Sequence, residues 1–143
     1  MIREDVYRGF WSWIENHISL DVVTLSRQLQ HWNDVPADLQ PAVFMTQTGE
    51  TRLSSGIGWK LDIDLYVYTH SNSNPGTISA TAMNDVIDKI IDCLQPNIKL
   101  GEVVQTLGNL VEDCHISGKI ETDAGLLGPQ SVAIIPITIF VSN

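Results

Sequence analysis

Basic residues are scarce: the 143-residue chain carries 8 Lys and Arg against 17 Asp and Glu, a formal net charge of −9. Tight binding to a phosphate backbone needs clustered Lys and Arg; without such a cluster, a sequence-specific DNA or RNA binder is not expected. The deficit is uneven, −2 over residues 1–60 and −7 over residues 61–143. Cysteine occurs twice, at Cys93 and Cys114, with no CxxC and no flanking His pair. That supports neither a zinc site nor a redox motif, and two reduced thiols acting as small apolar residues are expected. No run of about 18 apolar residues is present, and Met1-Ile2-Arg3-Glu4-Asp5 lacks the layout of a signal peptide. A soluble protein made in the cytoplasm, with no membrane partner, is the expectation. Serine-hydrolase, zincin, dinucleotide-fold and P-loop signatures are also missing. Gly56 and Gly58 form only GxG, with no helix start behind them to hold an anion. No catalytic residue, cofactor or metal is therefore assigned.

What is present suffices for one folded domain over residues 1–143: 43% hydrophobic and 17% charged residues can fill a core. Ile2, Val6, Tyr7, Phe10, Trp11, Ile14 and Ile18 fall on one helix face, with Trp13 at its edge. The β-branched stretch from Asp21 to Leu29 predicts a strand ending near Arg27. Pro36 and Pro41 make residues 30–40 a structured loop, and a short strand follows over Pro41–Gln47. Residues 48–58 read as a polar, glycine-punctuated connector. From Trp59 to Tyr68 strict alternation predicts a strand of about ten residues, one face apolar and one polar. A turn cluster at Ser71–Gly76 precedes a second amphipathic helix over Ile78–Leu94, with Asp85 and Lys89 spaced as a surface pair and Pro96 as the stop. Residues 97–109 are weakly patterned, a strand spans Leu110–Glu121, and a last strand over Ser131–Val141 is apolar on both faces, with Pro136 forcing a bulge or local edge. The expected fold is α+β: a mostly antiparallel four- to five-stranded sheet with both helices on one face, leaving the other face for an oligomeric partner.

Chemistry is thin. Asp62 and Asp64 share a strand face about 6–7 Å apart along the backbone, a spacing a divalent cation bridges, yet no third acid completes a ligand set. The plainer alternative is a solvated or interface-facing strand surface. His17, His31, His70 and His115 show no ligand spacing. His31-Trp32 leaves two readings open: an exposed aromatic anchoring an interface, or a side chain folded back over the sheet. Asp85, Asp88 and Asp92 mark the solvated face of the second helix.

Arg27, His31-Trp32-Asn33-Asp34-Val35-Pro36, Gln40-Pro41-Ala42, Trp59-Lys60-Leu61 and Tyr66-Val67-Tyr68 together resemble a small family of tail proteins from long-tailed, non-contractile phages and prophages. Pro75-Gly76-Thr77, Ala82-Met83-Asn84, Gln105-Thr106-Leu107-Gly108 and Gly125-Leu126-Leu127-Gly128 extend the likeness over nearly the whole chain. These are tail terminator, or tail completion, proteins, similar to the minor tail protein U group. The resemblance implies a non-enzymatic homo-oligomer, a hexameric ring at the head-proximal end of the virion tail, assembled in the host cytoplasm. It would cap the tail tube and then offer a surface for head–tail joining. The implied partners are further copies of the chain, the major tail tube protein and a neck or head-completion protein, with DNA only as passing cargo. On that reading Arg27, His31, Trp32, Asp34 and Arg52 are candidates for the subunit or tube interface, and Asp62 and Asp64 for an acidic lumen that repels phosphates. The alternatives are a neck protein at the same junction, a monomeric adaptor, or a small metal-dependent enzyme using Asp62 and Asp64.

Overall fold

A computed structural model describes residues 1–54, 56–71, 78–124 and 128–143, with Lys99 as backbone alone. The elements in chain order are α1 (Arg3–Ile18), β1 (Thr24–Ser26), β2 (Ala42–Arg52), β3 (Gly58–His70), α2 (Ser79–Cys93), β4 (Asn97–Lys99), β5 (Glu102–Val104), β6 (Asp113–Ile116), β7 (Glu121–Thr122) and β8 (Gln130–Ser142). The three- and four-residue spacing on α1 buries Val6, Tyr7, Phe10, Trp11, Ile14 and Ile18 on one side, and Glu4 and Asp5 in its first turn suit the positive end of the helix dipole. In α2 the same logic buries Met83, Val86, Ile87, Ile90 and Cys93.

The main sheet runs β1-β2-β3-β8-β6, with β7 pairing β8 beside β6; β4 and β5 make a separate two-stranded hairpin. All pairings are antiparallel except β1 with β2. The spine is β3 against β8, in register from Gly58 opposite Ser142 to His70 opposite Gln130. Period-two alternation then sorts side chains by face. Val43 and Met45 of β2, Leu61, Ile63, Leu65 and Val67 of β3, and Ala133, Ile135, Ile137, Ile139 and Val141 of β8 join the apolar faces of both helices in one core. Each fully buried aliphatic or aromatic side chain contributes roughly 1.5–3 kcal/mol. The α+β class with both helices on one face of the sheet is thus the observed one, with six strands in the main sheet.

Several local expectations are corrected. Residues 48–52 are strand, not connector: β2 continues to Arg52 opposite Trp59, with a register shift between Gln47 and Gly49, and only residues 53–57 separate it from β3. The stretch is polar because its side chains are exposed, while its backbone pairs with β3 along one side from Gly49 to Arg52. The strand over 21–29 shrinks to Thr24–Ser26, an edge strand held parallel to Ala42–Phe44. The strand over 110–121 splits into β6 and β7, and the gap lies against Pro136. Ser117 N–H donates to the Pro136 carbonyl at 2.9 Å, so on this side Pro136 accepts but has no N–H to give, and the neighbouring strand breaks. Lys89 pairs with Asp21 at 2.6 Å rather than with Asp85. β8 is covered on one face only; Val132, Ile134, Pro136 and Phe140 on the other are half-buried. Beyond Ser71 the expected turn at 71–76 lies outside the described residues, as do Pro75-Gly76-Thr77 and Gly125-Leu126-Leu127.

A buried polar network closes one end of the molecule. Gln40 and Gln130 exchange two amide hydrogen bonds, each 2.9 Å. Gln40 Nε2 also donates to the Val35 carbonyl, and Gln130 Nε2 to the carbonyls of Thr69 and Ser131. Thr69 Oγ1 donates to the Ser79 carbonyl, and the Ser79 and Ser131 hydroxyls bond at 2.6 Å. The network ties the residue 30–40 loop, the end of β3, the start of α2 and the start of β8 together. Among the described residues no buried side-chain polar atom lacks a partner.

Both cysteines are buried and free. Burial pushes the Cys93 thiol up to about 12, and Cys114 rises further for the same reason. Thiolate being the reactive form, a thiol-specific reagent is expected to label neither cysteine in native buffer and both after unfolding in guanidinium.

Candidate functional site

The sheet face away from the helices divides into two parts. Over one end the residue 30–40 loop folds back, and its Val35 and Trp32 cover Ala42, Phe44 and Tyr68, with Tyr66 and Val132 of the same sheet face beside them, in a second, smaller apolar cluster. Phe44 and Tyr68 pack with ring centroids 5.4 Å apart, and the Tyr68 hydroxyl donates to the Gln30 carbonyl at 2.6 Å. Of the two readings of Trp32, the structure shows the folded-back one: its ring is half-buried against this cluster. His31 Nδ1 accepts from the Asn33 N–H at 3.1 Å and caps a short 3-10 turn over Trp32–Asp34. His31 and Asp34 remain exposed.

The rest of this face is open. β3 places Lys60, Asp62 and Asp64 on it; the register sets Asp62 opposite Thr138, Asp64 opposite Pro136 and Glu121 opposite Ile134. Asp62 is served on two sides, accepting from Thr138 Oγ1 at 3.2 Å and lying 3.9 Å from the Lys60 ammonium. Asp64 stands differently. Burial, then the Glu121 and Asp62 carboxylates, hold it above its ordinary value. On β6, His115 Nδ1 lies 2.9 Å from Asp113 Oδ2, and its ring stacks on Phe140 at 6.0 Å. Lys60 already neutralises part of the Asp62 charge, and no group of three or more His, Cys, Asp or Glu able to hold a metal exists among the described residues.

A raised carboxylate is a stability statement with a definite sign. The folded state holds the Asp64 proton more tightly than the unfolded chain does, so stability falls as pH rises from about 3.8 through the folded value, and the full penalty stands at neutral pH. Asp64→Asn is expected to stabilise the fold at pH 7 by less than about 1 kcal/mol, because water still reaches the carboxylate. Urea denaturation of both chains should show that gain at pH 7 and lose it below pH 3.8.

Arg27 and Arg52 lie apart from the His31 loop, on the helix side. Arg27 Nη1 bonds Glu4 Oε1 at 2.5 Å. The guanidinium carbon of Arg52 sits 5.9 Å from the centre of the Trp59 ring, which Arg3 also approaches at 4.8 Å. Arg3 also binds Glu50 at 2.7 Å, and Tyr7 donates to Glu50 at 2.9 Å. The Arg3 hydrogen bond keeps the Glu50 carboxyl below its usual range, while burial and that carboxylate raise the Tyr7 hydroxyl. The five interface candidates therefore do not converge on one spot. Arg27 holds Glu4 of α1, Arg52 lies over Trp59 at the distal end of the β2–β3 hairpin, and His31, Trp32 and Asp34 lie on a loop across the opposite face.

One prominent feature escaped sequence reasoning. The β4–β5 hairpin carries Ile98, Leu100 and Val103 at 79%, 97% and 66% exposure. Its signal was present as Leu100-Gly101 between β-branched Ile98 on one side and Val103-Val104 on the other, a two-residue turn pattern.

No known family's sequence profile matches the chain, and no curated protein matches it. Among solved structures, a chain from the "Virion of native gene transfer agent (GTA) particle" is similar, with a TM-score of 0.53 over 96% of this chain and 92% of that one. The two share 9% identity, so the likeness is one of fold.

Proposed function

We propose that the chain is a structural virion protein of a long-tailed phage or phage-derived particle, and within that class a tail terminator. It assembles as a ring, a hexamer on the family resemblance, that caps the tail tube, ends its polymerisation and offers a surface to the neck proteins. The observation that carries this reading is the fold shared along nearly the whole chain with a gene transfer agent virion component. The loop and strand motifs resembling tail terminators, from His31-Trp32 to Tyr66-Val67-Tyr68, support it from an independent direction.

The mechanism is geometric rather than catalytic. A ring that complements the last tube ring on one side, and presents a different surface on the other, stops growth because a heterologous contact needs both of its halves. The open face with Asp62, Asp64 and Glu121 suits a channel wall: each subunit brings −9, and carboxylates facing the passage repel phosphates and let DNA slide. Asp64 costs the subunit stability at neutral pH, which fits a carboxylate kept for a task outside folding.

The test is assembly without this chain. Particles made in its absence should carry tubes of uncontrolled length that fail to join heads, by negative-stain electron microscopy, and added purified protein should restore uniform joined tails. Tails of normal length that merely lack heads would instead indicate a neck protein, and normal particles would end the virion reading.

A further inference from the structure

We infer that the outer edge of β2 is where a second copy of this chain docks, the two β2 strands running antiparallel about a two-fold axis at Thr51. The inference goes beyond the ring reading and does not depend on it.

The edge is open because its cover stops short. β1 pairs only Ala42–Phe44, and every residue from Gln47 to Arg52 is exposed. Leu53 N–H donates to the Gly58 carbonyl at 3.0 Å, so alternation turns the backbone groups of Gly49 and Thr51 toward β3 and those of Glu50 and Arg52 outward. Among the described residues nothing bonds those outward groups. Residues 46–52 contain neither Pro nor Lys, the residues that blunt an edge. The register shift lies before Gly49, which leaves Gly49–Arg52 a regular strand.

Charge selects the occupant. Arg3, Arg8 and Arg27 each have a carboxylate partner. Arg52 has none among the described residues, only the Trp59 ring 5.9 Å away. Two residues back, the Glu50 side chain is 27% exposed; it accepts from Arg3 and Tyr7 and has lone pairs left for another donor. In a chain of net charge −9, an unpaired cation and a reachable acid on one open edge make that edge complementary to itself.

The same charges select the register. An antiparallel mate must also offer its outward residues, so Glu50 meets Glu50, Arg52 meets Arg52, or Glu50 of each copy meets Arg52 of the other. The first two set like charges directly opposite and are disfavoured; the third sets two opposite-charge pairs about an axis at Thr51. Glu50 and Arg52 both lie on the helix side of the sheet, across from Leu61 and Trp59. The pairing therefore joins the two main sheets into one, with both helix layers on one side and both open faces, with Asp62 and Asp64, uncovered on the other. A contact of this kind closes on itself, so the edge yields dimers and nothing longer.

The test is disulfide trapping in the full chain, where the native thiols are buried. At the axis, position 51 faces its own counterpart as a non-hydrogen-bonded pair with Cα atoms about 4.5 Å apart, within disulfide range. Thr51→Cys should therefore give a covalent dimer under air oxidation, read by intact mass. Gln47→Cys, on the same edge but more than about 20 Å from its counterpart in this register, should not. Adding Arg52→Glu to Thr51→Cys should slow the linking about tenfold, because two symmetry-related pairs turn repulsive, and should leave the melting curve unchanged. Wild type should sediment as a concentration-dependent mixture of monomer and dimer. Linking of Thr51→Cys no faster than Gln47→Cys, an unchanged rate with Arg52→Glu, or a strictly monomeric wild type overturns the contact. Absence of linking, together with protection of the Glu50 and Arg52 amides from hydrogen exchange only when tail tubes are added, overturns it in favour of the tube as the edge's partner.

Discussion

Phe10→Ala is expected to remove about 3–5 kcal/mol of stability, the range for deleting a fully buried aromatic ring. Phe10 has no exposed surface and sits mid-helix in α1, among side chains from both helices and the sheet. Neighbouring Ile14 is equally buried, and β3, whose Leu61 and Leu65 belong to the same core cluster, is held by pairing on both sides, which limits how far the surroundings can move to fill the void. A domain of this size is typically stable by about 5–15 kcal/mol, so the variant should lie close to its unfolding threshold at 37 °C. Chemical denaturation at 25 °C measures the loss; a change under 1 kcal/mol would mean that α1 packs loosely on the sheet.

Gln130→Leu should cost about 2–4 kcal/mol although leucine is more apolar and similar in size. The gain in apolar burial is outweighed because Gln40, 2% exposed, loses both halves of its amide exchange, and the Thr69 carbonyl loses a donor. Buried polar groups stripped of partners pay their desolvation in full. The double variant Gln40→Leu with Gln130→Leu should recover part of the loss, since both orphaned amides are then gone. Denaturation of the single and double variants forms a thermodynamic cycle, and additive losses would show that the two amides do not act as a unit.

Legibility in the sequence followed physical range. The helices and β3 were readable because burial on one side imprints a local period: Val6, Phe10 and Ile14 at helical steps, Leu61, Ile63 and Leu65 at alternate positions. β2 was readable only to Gln47, because beyond it no apolar side chain marks the face and the strand is defined by its backbone pairing with Asp62–Trp59 across the hairpin. The break between β6 and β7 was set by Pro136 on another strand. The same limit applies to the site. That Asp62 and Asp64 share a strand face follows from alternation along β3, but the Glu121 charge beside Asp64 comes from β7, and the Gln40–Gln130 exchange joins residues 90 apart. Trp32 illustrates a two-way choice that adjacent residues leave undecided, since only the presence of Phe44 and Tyr68 beneath it turns an anchor into a cover.

The ladder between β3 and β8 has a mechanical meaning. Thirteen residue pairs, from Gly58 with Ser142 to His70 with Gln130, are joined by bonds that lie across the strand direction. A pull along either strand therefore loads these bonds together in shear, and they must fail nearly at once, whereas a pull at one end across the strands would peel them singly. A domain built on such a spine resists stretching along that axis far better than prying at right angles to it, so the direction of an applied load relative to the strands decides how much of it the fold bears before it yields.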